Sequence, residues 1–495
     1  MRKITRVKFY NHPVLGDSEI KLVDENEFYN SEYISLIIGQ NGTGKSKLLE
    51  AITSFLINIV RSYNQPKFRW DLKYGIEIDI CFNNEIYTFK YLNEFNFLNK
   101  EGKIATPTDL LPDNLIVNVN TFNDKYPFIE SEDFYNYCGL RTVSNNIYVN
   151  VPVENCFLNL TSIIQNEKKI KVTNNIFSEL NFQKKISVHY IIKNKKFLTD
   201  PKFIRIKNEY FKDLVLTEEH LSSFISILTE SRSNKRVENF KIKRFINNLS
   251  EVKKTLDFLI HVDKSDKLNK LSYSWEEILS DVDIFQNKEF LSKIEIYKIL
   301  REIGILQFEN FQVYRNNYFD FNEASSGEFH FLNLFVSVLS NIKDNSLVIV
   351  DEPEISLHPN WQNKLIYILE PLFIAYPNAQ FIIASHSHLM VSSLKKEKSS
   401  LITMKRKGQE LSIENLRNIN TYGWSAEQIL FDVFGMLTDR NFYLSQKIQE
   451  IINEMSSGKP NNKRISELKD DLKEYDIKGF HNNDPFKSIL ENILK

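Results

Sequence analysis

Three glycines, a lysine and a serine stand together where an apolar run ends. The run Ile34–Ile38 leads into GQNGTGKS, residues 39–46, and a helical pattern follows from about Lys45 to Val60. Glycine lets the backbone curl so that successive N–H groups point at one anion, and a helix N-terminus attracts the same charge. Lys45 can then neutralise the β- and γ-phosphates of a nucleotide, while Ser46 can ligate Mg²⁺. The predicted phosphate contacts are Gly39, Asn41, Gly42, Thr43, Gly44, Lys45 and Ser46.

An ordinary glycine-rich turn is the alternative for this stretch. Residues 39–46 meet the whole pattern G-x-x-x-x-G-K-[ST], and they lie between an apolar strand and a helix. That context is the one a phosphate-binding loop requires. The sequence therefore predicts a site for ATP and Mg²⁺.

An acidic pair ends the apolar run Leu347–Val350 in LVIVDEPEISLHP, residues 347–359. Such a run is typical of a buried parallel strand. Asp351 is predicted to hold Mg²⁺ through water, and Glu352 to polarise the attacking water as general base. Taken alone, the pair fits equally well a charged strand end before a proline turn.

A serine-glycine helix start precedes this pair, in NEASSGEFHFLNLF, residues 322–335. A helix that begins there exposes free N–H groups and so offers a second anion site, formed by Ser325, Ser326, Gly327 and Glu328. The alternative is a simple helix cap with an acidic first turn.

A histidine follows another apolar strand, in AQFIIASHSHLMV, residues 379–391. His386 stands directly after that strand, where an imidazole can reach the γ-phosphate or orient water. A lone histidine at such a place is usually structural. Because the other motifs of the chain point to a nucleotide site, a catalytic role is favoured for His386. No role is assigned to His388.

Composition sets wider limits. The chain has 63 Lys+Arg against 64 Asp+Glu, a net charge of −1. The overall charge therefore does not indicate a nucleic-acid-binding protein. Cys81, Cys138 and Cys156 form neither a disulfide framework nor a zinc pattern. A cytoplasmic location is expected, since no apolar run approaches the roughly 20 residues that cross a membrane and no signal-peptide block begins the chain.

The order of these motifs resembles the ATP-binding-cassette (ABC) ATPases of the SMC and RecF type. The resemblance rests on a Walker A motif at 39–46, a signature at 325–328, a Walker B motif at 347–352, a D-loop at 356–359 and the switch His386. It implies an α/β fold, the P-loop NTPase of ABC/SMC-head type, with a mixed sheet flanked by helices. The family expects a Q-loop glutamine after a strand of the first lobe. The strand LIVNVNTF, residues 115–122, has Asn118 and Asn120 instead, so the Q-loop residue is left open.

In such families the signature of one head covers the ATP bound to the other. The resemblance thus implies a homodimer with ATP sandwiched between its heads, or a higher oligomer. Catalysis would fall to Glu352, His386 and Lys45, and the metal to Ser46 and Asp351.

The motifs divide the chain into four predicted parts. These are an N-terminal ATPase lobe at 1–146, a mainly helical insertion at 147–298, a C-terminal ATPase lobe at 299–418 and a helical tail at 419–495. The insertion contains a basic cluster that either contacts DNA or forms a solvated helix face, at Lys235, Arg236, Lys241, Lys243 and Arg244. The tail has apolar residues at helical spacing that pack on the chain itself or bind a partner, at Ile448, Ile451, Ile452 and Met455.

The layout resembles the stand-alone ATPases of bacterial antiphage systems, nearest to those of Septu systems and next to those of PARIS systems. Neither the Asp-x-Asp cluster of a TOPRIM nuclease nor an HNH array stands out. A separate effector nuclease of HNH or TOPRIM type is therefore the expected partner. Two alternatives stay open: a RecF-like DNA repair or recombination ATPase, and a nucleotide-locked scaffold with little turnover.

Overall fold

The computed structural model covers most of the chain in separate stretches. The structure describes residues 2–23, 33–65, 67–99, 107–121, 124–128, 133–141, 150–163, 166–179, 182, 186–192, 198–230, 244–264, 274–279, 288–314, 318–320, 326–395, 398–408, 410–416, 420–434, 442–455, 461–472, 490 and 493.

The described residues contain both strands and helices. The strands are β1 (Arg2–Tyr10), β2 (Glu19–Lys21), β3 (Tyr33–Gly39), β4 (Gly75–Phe82), β5 (Glu85–Tyr91), β6 (Phe95–Asn99), β7 (Asn114–Val119), β8 (Tyr135–Tyr137), β9 (Ile186–Ile192), β10 (Ser274–Leu279), β11 (Leu306–Tyr314), β12 (Tyr318–Asp320), β13 (Ser346–Asp351), β14 (Gln380–Ser385), β15 (Ser399–Lys407) and β16 (Glu410–Asn415). The helices are α1 (Lys45–Asn64), α2 (Pro107–Leu110), α3 (Asn150–Ile163), α4 (Glu167–Glu179), α5 (Pro201–Asp213), α6 (Glu218–Glu230), α7 (Leu249–Lys264), α8 (Lys288–Glu302), α9 (Ser326–Asn341), α10 (Pro359–Ala375), α11 (Ala426–Asp432), α12 (Phe442–Met455) and α13 (Asn462–Leu472).

A seven-stranded mixed sheet organises the ATPase motifs, in the order β16-β15-β3-β14-β13-β7-β8. All its neighbouring strands are parallel except β15 and β16. In this register Asp351 lies level with Ala384 of β14 and with Val119 of β7. Because the carboxyl ends of parallel strands meet at one edge, the residues that follow β3, β7, β13 and β14 gather there. The predicted α/β fold with a mixed sheet is confirmed.

Apolar side chains explain why these strands lie at the centre. Every residue of β7, β13 and β14 is buried, as the Val- and Ile-rich runs predict for strands covered on both faces. Helix α1 packs on the sheet, since Ile52 and Phe55 share a buried cluster with Ile349 and Ala384. Burying each side chain of this size contributes roughly 1.5–3 kcal/mol. The loop between β3 and α1 is therefore held at both ends by the core.

Two antiparallel sheets accompany the central one. The first has the order β2-β1-β4-β5-β6, and its β4–β5 hairpin turns at Asn83 and Asn84, with φ of 51° and 66°. The second has the order β10-β9-β11-β12. Strands β9 and β10 lie within the 147–298 segment, which therefore contributes two strands of this sheet as well as helices. Its basic cluster lies outside the described residues from Lys235 to Lys243, and only Arg244 is described.

The chain divides into two compact units. The first comprises residues 1–387 and 397–418, and it contains all three sheets. The second comprises residues 388–396 and 419–495. Within the second unit, Ile448 and Ile451 of α12 are fully buried against Leu468 and Leu472 of α13, whereas Met455 is 54% exposed. The apolar face of the tail thus packs within its own unit. Among the described residues, no helix is both long enough and apolar enough to span a membrane.

Candidate ATP-hydrolysis site

The predicted phosphate-binding loop links β3 to α1 in a tight turn. Gly42 and Gly44 have φ of 78° and 102°, a left-handed backbone that glycine adopts without a Cβ clash. Thr43 closes the turn, since its backbone N–H and its Oγ1 both donate to the carbonyl of Gln40, at 3.4 and 2.9 Å. Gly44 caps α1 without a side-chain hydrogen bond. The N–H groups at the start of α1 are therefore not capped by a side chain and can bind an anion.

Lys45 is the buried cation of this loop, only 3% exposed. Its Nζ donates to the carbonyl of Gly39 at 2.9 Å. Burial lowers the pKa of the Lys45 ammonium, while the nearby carboxylates of Glu352, Glu354 and Asp351 raise it. A dehydrated ammonium held by weak carbonyl acceptors is well suited to bind a phosphate oxygen, which is a stronger acceptor.

Ser46 and Asp351 form the predicted metal pair. The Ser46 hydroxyl donates to Oδ1 of Asp351 at 3.1 Å, and the Tyr126 hydroxyl donates to Oδ2 at 2.9 Å. The pKa of Asp351 is raised to about 7, mainly by burial and also by the charges of Glu352 and Glu50, while these two hydrogen bonds oppose the rise. A bound dication would favour the ionised carboxylate that the buried site disfavours.

The donor set fits Mg²⁺ shared with a nucleotide. The described residues contain no group of three or more His, Cys, Asp or Glu side chains that could hold a metal by themselves. Mg²⁺ in phosphate-transfer sites is typically held by one or two protein oxygens, with water and substrate phosphates as its other ligands. The hydroxyl of Ser46 and the carboxylate of Asp351 meet that requirement.

Glu352 leaves β13 in a conformation that is unusual for its residue type. Its φ is 54°, and its N–H donates to the carbonyl of Ala384 on β14 at 2.9 Å. A left-handed non-glycine residue costs on the order of 1–3 kcal/mol, and such strain clusters at functional sites. The backbone turn brings the Glu352 carboxylate into the site, where its Oε1 lies 2.6 Å from Nε2 of His386.

His386 connects the carboxylates to the lysine. Its ring nitrogens Nδ1 and Nε2 lie 3.0 and 2.9 Å from Nζ of Lys45. The backbone N–H of His386 donates to Oε1 of Glu354, a contact between the ends of β13 and β14. The structure thus brings Lys45, Ser46, Asp351, Glu352 and His386 together at one edge of the sheet.

The start of the signature helix lies against the D-loop. Ser325 is outside the described residues, and α9 begins at Ser326. A Cβ added to Gly327 would lie 2.6 Å from the carbonyl oxygen of Ser356, so the start of α9 contacts the backbone of the D-loop. Ser356 itself has a φ of 66°. Glycine at 327 therefore lets the signature helix approach the D-loop closely.

Replacing Gly327 by alanine is expected to destabilise the first unit. Glycine to alanine inside a helix ordinarily stabilises by roughly 0.5–1 kcal/mol. Here the new methyl group meets backbone rather than a flexible side chain, and such overpacking typically costs about 1–3 kcal/mol. The melting temperature from thermal unfolding shows whether the substitution lowers or raises the stability. A Gly327→Ala variant that melts at or above the wild-type temperature contradicts the close contact.

Asn120 and Asn118 have different surroundings. Asn118 donates from Nδ2 to the carbonyl of Cys138 and to Oγ of Ser337, both at 3.1 Å, and only its Oδ1 has no hydrogen-bond partner among the described residues. Asn120 is 2% exposed, and neither its amide nitrogen nor its amide oxygen has a hydrogen-bond partner in the described part of the chain. It directly follows Val119, the partner of Asp351 in the sheet. A buried amide without partners is costly, so Asn120 is the stronger candidate for contact with a ligand.

Three residues near the site were not predicted from the sequence. Glu354 lies in the stretch 347–359, and its acidic side chain close to Asp351 and Glu352 is the signal that could have predicted it. Tyr126 and Asp124 follow β7 in a segment without any motif, and only the fold brings Tyr126 to Asp351.

Comparisons with known proteins find a family match and several relatives. The model of the AAA ATPase domain family matches residues 3–391. The Septu protein PtuA of Bacillus thuringiensis is 29% identical over 149 residues, 29% of this chain and 35% of that protein. The Retron Vc95 probable ATPase of Vibrio cholerae serotype O1 biovar El Tor is 23% identical over 81% of this chain and 76% of its own length. The Retron Ec83 probable ATPase of Escherichia coli is 24% identical over 73% and 65%.

The chain spans about a third of the length of PtuA and just under two thirds of the Ec83 protein. Among solved structures, the SMC head domain from Thermotoga maritima is similar over 84% of this chain, with 9% identity and a TM-score of 0.32. The predicted resemblance to P-loop ATPases of the Septu-related class is confirmed by the family match and the relatives. The chain belongs to the AAA ATPase domain family.

Proposed function

We propose that this chain binds and hydrolyses ATP with Mg²⁺ in a site shared by two copies, and that turnover controls a separate effector nuclease in an antiphage complex. One observation carries the ATPase part. Lys45, Ser46, Asp351, Glu352 and His386 come from three distant segments, yet hydrogen bonds and ion pairs of 2.6–3.1 Å connect them. Membership of an ATPase family supports the same conclusion.

The phosphate grip is provided by the loop and by Lys45. The N–H groups of the turn around Gly42 and Gly44 bind phosphate oxygens, together with the start of α1. Lys45 transfers its hydrogen bonds from the carbonyl of Gly39 to the β- and γ-phosphates. Asn41 and Thr43 complete the loop, and Thr43 keeps it closed through its bonds to the carbonyl of Gln40.

The metal pair completes the ground-state complex. When bound, Mg²⁺ would supply positive charge that offsets the negative charge of the phosphates. Ser46 would provide its hydroxyl oxygen for that ion, and Asp351 would hold it through water with its carboxylate. Ser46 and Asp351 already lie within hydrogen-bond distance of each other.

Water activation falls to Glu352. Its carboxylate accepts a proton from the attacking water, and His386 keeps that carboxylate in place through the 2.6 Å contact with Oε1. Asn120 offers an unsatisfied buried amide at the end of β7 and takes the role of the Q-loop residue. His386 also lies beside Lys45, and so it can sense the γ-phosphate.

The shared site follows from the signature residues. Ser325, Ser326, Gly327 and Glu328 form a second anion site at the start of α9, which packs on the D-loop through Gly327. In a head-to-head homodimer this helix start faces the triphosphate bound to the other copy. ATP then joins the two heads, and hydrolysis removes the contact made by the γ-phosphate. Larger assemblies can form from such dimers.

The effector part rests on the relatives named for Septu and retron systems. Because no nuclease motif stands out in the sequence, a separate nuclease of HNH or TOPRIM type is the proposed partner. ATP-bound assembly restrains or licenses it, and phage or DNA provides the trigger.

One purification tests both parts. The chain is co-expressed with the product of its neighbouring gene, and the purified material is assayed for phosphate release, salt-sensitive DNA binding and DNA cleavage. The proposal expects turnover that needs Mg²⁺, a co-purifying nuclease and cleavage that depends on ATP. Binding of ATP without measurable turnover would favour a structural scaffold. Tight DNA binding by the chain alone, with no nuclease partner, would favour a RecF-like repair function.

A further inference from the structure

Tyr126 contacts the metal pair, although no motif includes it. Its hydroxyl donates to Oδ2 of Asp351 at 2.9 Å, while Oδ1 accepts from Ser46. Tyr126 is 1% exposed and Asp351 is 2% exposed, so water does not compete for this bond. The two residues are 225 positions apart in the chain. The hydroxyl therefore fixes one oxygen of the aspartate from a loop that follows β7.

An ion pair holds that loop. Asp124 accepts from the backbone N–H of Tyr126 at 3.1 Å and from the Tyr137 hydroxyl at 2.8 Å. Arg141 donates to both carboxylate oxygens of Asp124, from Nη2 at 2.6 Å and from Nε at 2.9 Å. It also donates to the carbonyl of Tyr126. The Asp124 side chain is only 1% exposed, so this two-pronged pair is more rigid than a surface salt bridge.

These contacts give a role to YNYCGLR, residues 135–141. Tyr135 donates from its hydroxyl to the carbonyl of Pro127 at 2.7 Å, and Tyr137 lies on the same strand, β8. Arg141 stacks over the Tyr137 ring at 5.1 Å. The segment thus fixes the loop 124–128 from several directions.

We infer that Tyr126 is a positioning residue for the Asp351 carboxylate, and that the Asp124–Arg141 pair holds Tyr126 in place. The inference rests on the proposed function, because it assigns Asp351 to Mg²⁺. Hydrogen bonds to a ligating carboxylate fix its orientation, and their loss typically lowers metal affinity or activity by about 10–100-fold. A role as core filler alone would not depend on the hydroxyl, since phenylalanine keeps the ring.

The test measures binding rather than turnover. The affinity of a fluorescent, non-hydrolysable ATP analogue (mant-AMPPNP) is determined with MgCl₂ and with EDTA. For Tyr126→Phe we expect a loss of about 10–100-fold with MgCl₂ and no change with EDTA. Tyr87→Phe is the matched control. Tyr87 is a buried tyrosine of the same apolar cluster that donates to a carboxylate outside the site, Glu85. The Tyr87→Phe variant should bind the ATP analogue as tightly as the wild type does, with MgCl₂ and with EDTA.

Two results would overturn the inference. One is a Tyr126→Phe variant with the wild-type gain in affinity from MgCl₂. The other is an equal loss with MgCl₂ and with EDTA, which indicates a general structural defect. If the wild type itself gains no affinity from MgCl₂, the metal assignment of the proposed function fails first.

A double-mutant cycle tests the anchoring ion pair. Arg141→Gln should weaken Mg²⁺-dependent binding in the same direction as Tyr126→Phe. In the double variant, Arg141→Gln should add little to the loss of affinity caused by Tyr126→Phe, because both substitutions break the same series of contacts. Fully additive losses would show that Arg141 does not act through Tyr126.

Discussion

Replacing Lys45 by methionine is expected to weaken ATP binding by a factor on the order of 100 and to abolish hydrolysis. Each hydrogen bond from a charged donor contributes about 1.5–3 kcal/mol, and a factor of ten corresponds to about 1.4 kcal/mol. Methionine fills a similar volume but offers no donor to a phosphate. Equilibrium binding of a fluorescent ATP analogue measures the loss.

Lys47→Met is the matched control for that experiment. Lys47 is two residues further on, with a side chain that is 42% exposed and paired with Glu50. Because exposed pairs contribute little, this variant should bind ATP almost as tightly as the wild type. Equal losses in the two variants would contradict the specific role of Lys45. A lower melting temperature of Lys45→Met would reveal the part of its effect that concerns folding.

Replacing Glu352 by glutamine is expected to leave ATP binding intact and to slow hydrolysis by about 10²–10⁴-fold, the usual contribution of a general base. Glutamine has nearly the same shape and keeps the backbone turn at φ 54°. It cannot accept the proton of the attacking water. The ATP-bound dimer should therefore accumulate, which sedimentation velocity detects as a larger fraction of dimer after ATP is added.

The Glu354→Gln variant tests whether the effect on turnover is specific to Glu352 or is shared by another carboxylate near the site. Glu354 accepts from the backbone N–H of His386, and the amide oxygen of glutamine can accept the same bond. A modest effect on turnover is thus expected. Turnover of Glu352→Gln at the wild-type rate, or a larger loss in Glu354→Gln than in Glu352→Gln, would assign the base to another residue.

Some parts of the site could be predicted because their signal is local. The loop 39–46, Asp351 and Glu352 each stand beside an apolar run, and short runs of sequence determine both the strand and the turn after it. The helix after the loop was predicted to end near Val60, but it continues to Asn64, since helix ends depend on weak local signals.

Other parts required the fold. Tyr126 reaches Asp351 only because β7 pairs with β13 in register, so that the segment following β7 lies at the same edge as Asp351. Nothing in the sequence near Tyr126 indicates a partner that far along the chain. The same holds for the sheet of β9 to β12, because a long segment of the insertion separates β9 from the other three strands. Asn120 could be separated from Asn118 only when their burial and hydrogen bonds were known.

A structure of the Glu352→Gln variant with ATP and Mg²⁺ tests the central claim most directly. The account predicts that Lys45 Nζ contacts the β- and γ-phosphates of one ATP, and that the partner subunit's Ser326 binds the γ-phosphate of the same ATP. A structure in which Lys45 contacts no phosphate, with Ser326 facing solvent in every assembly, would contradict it.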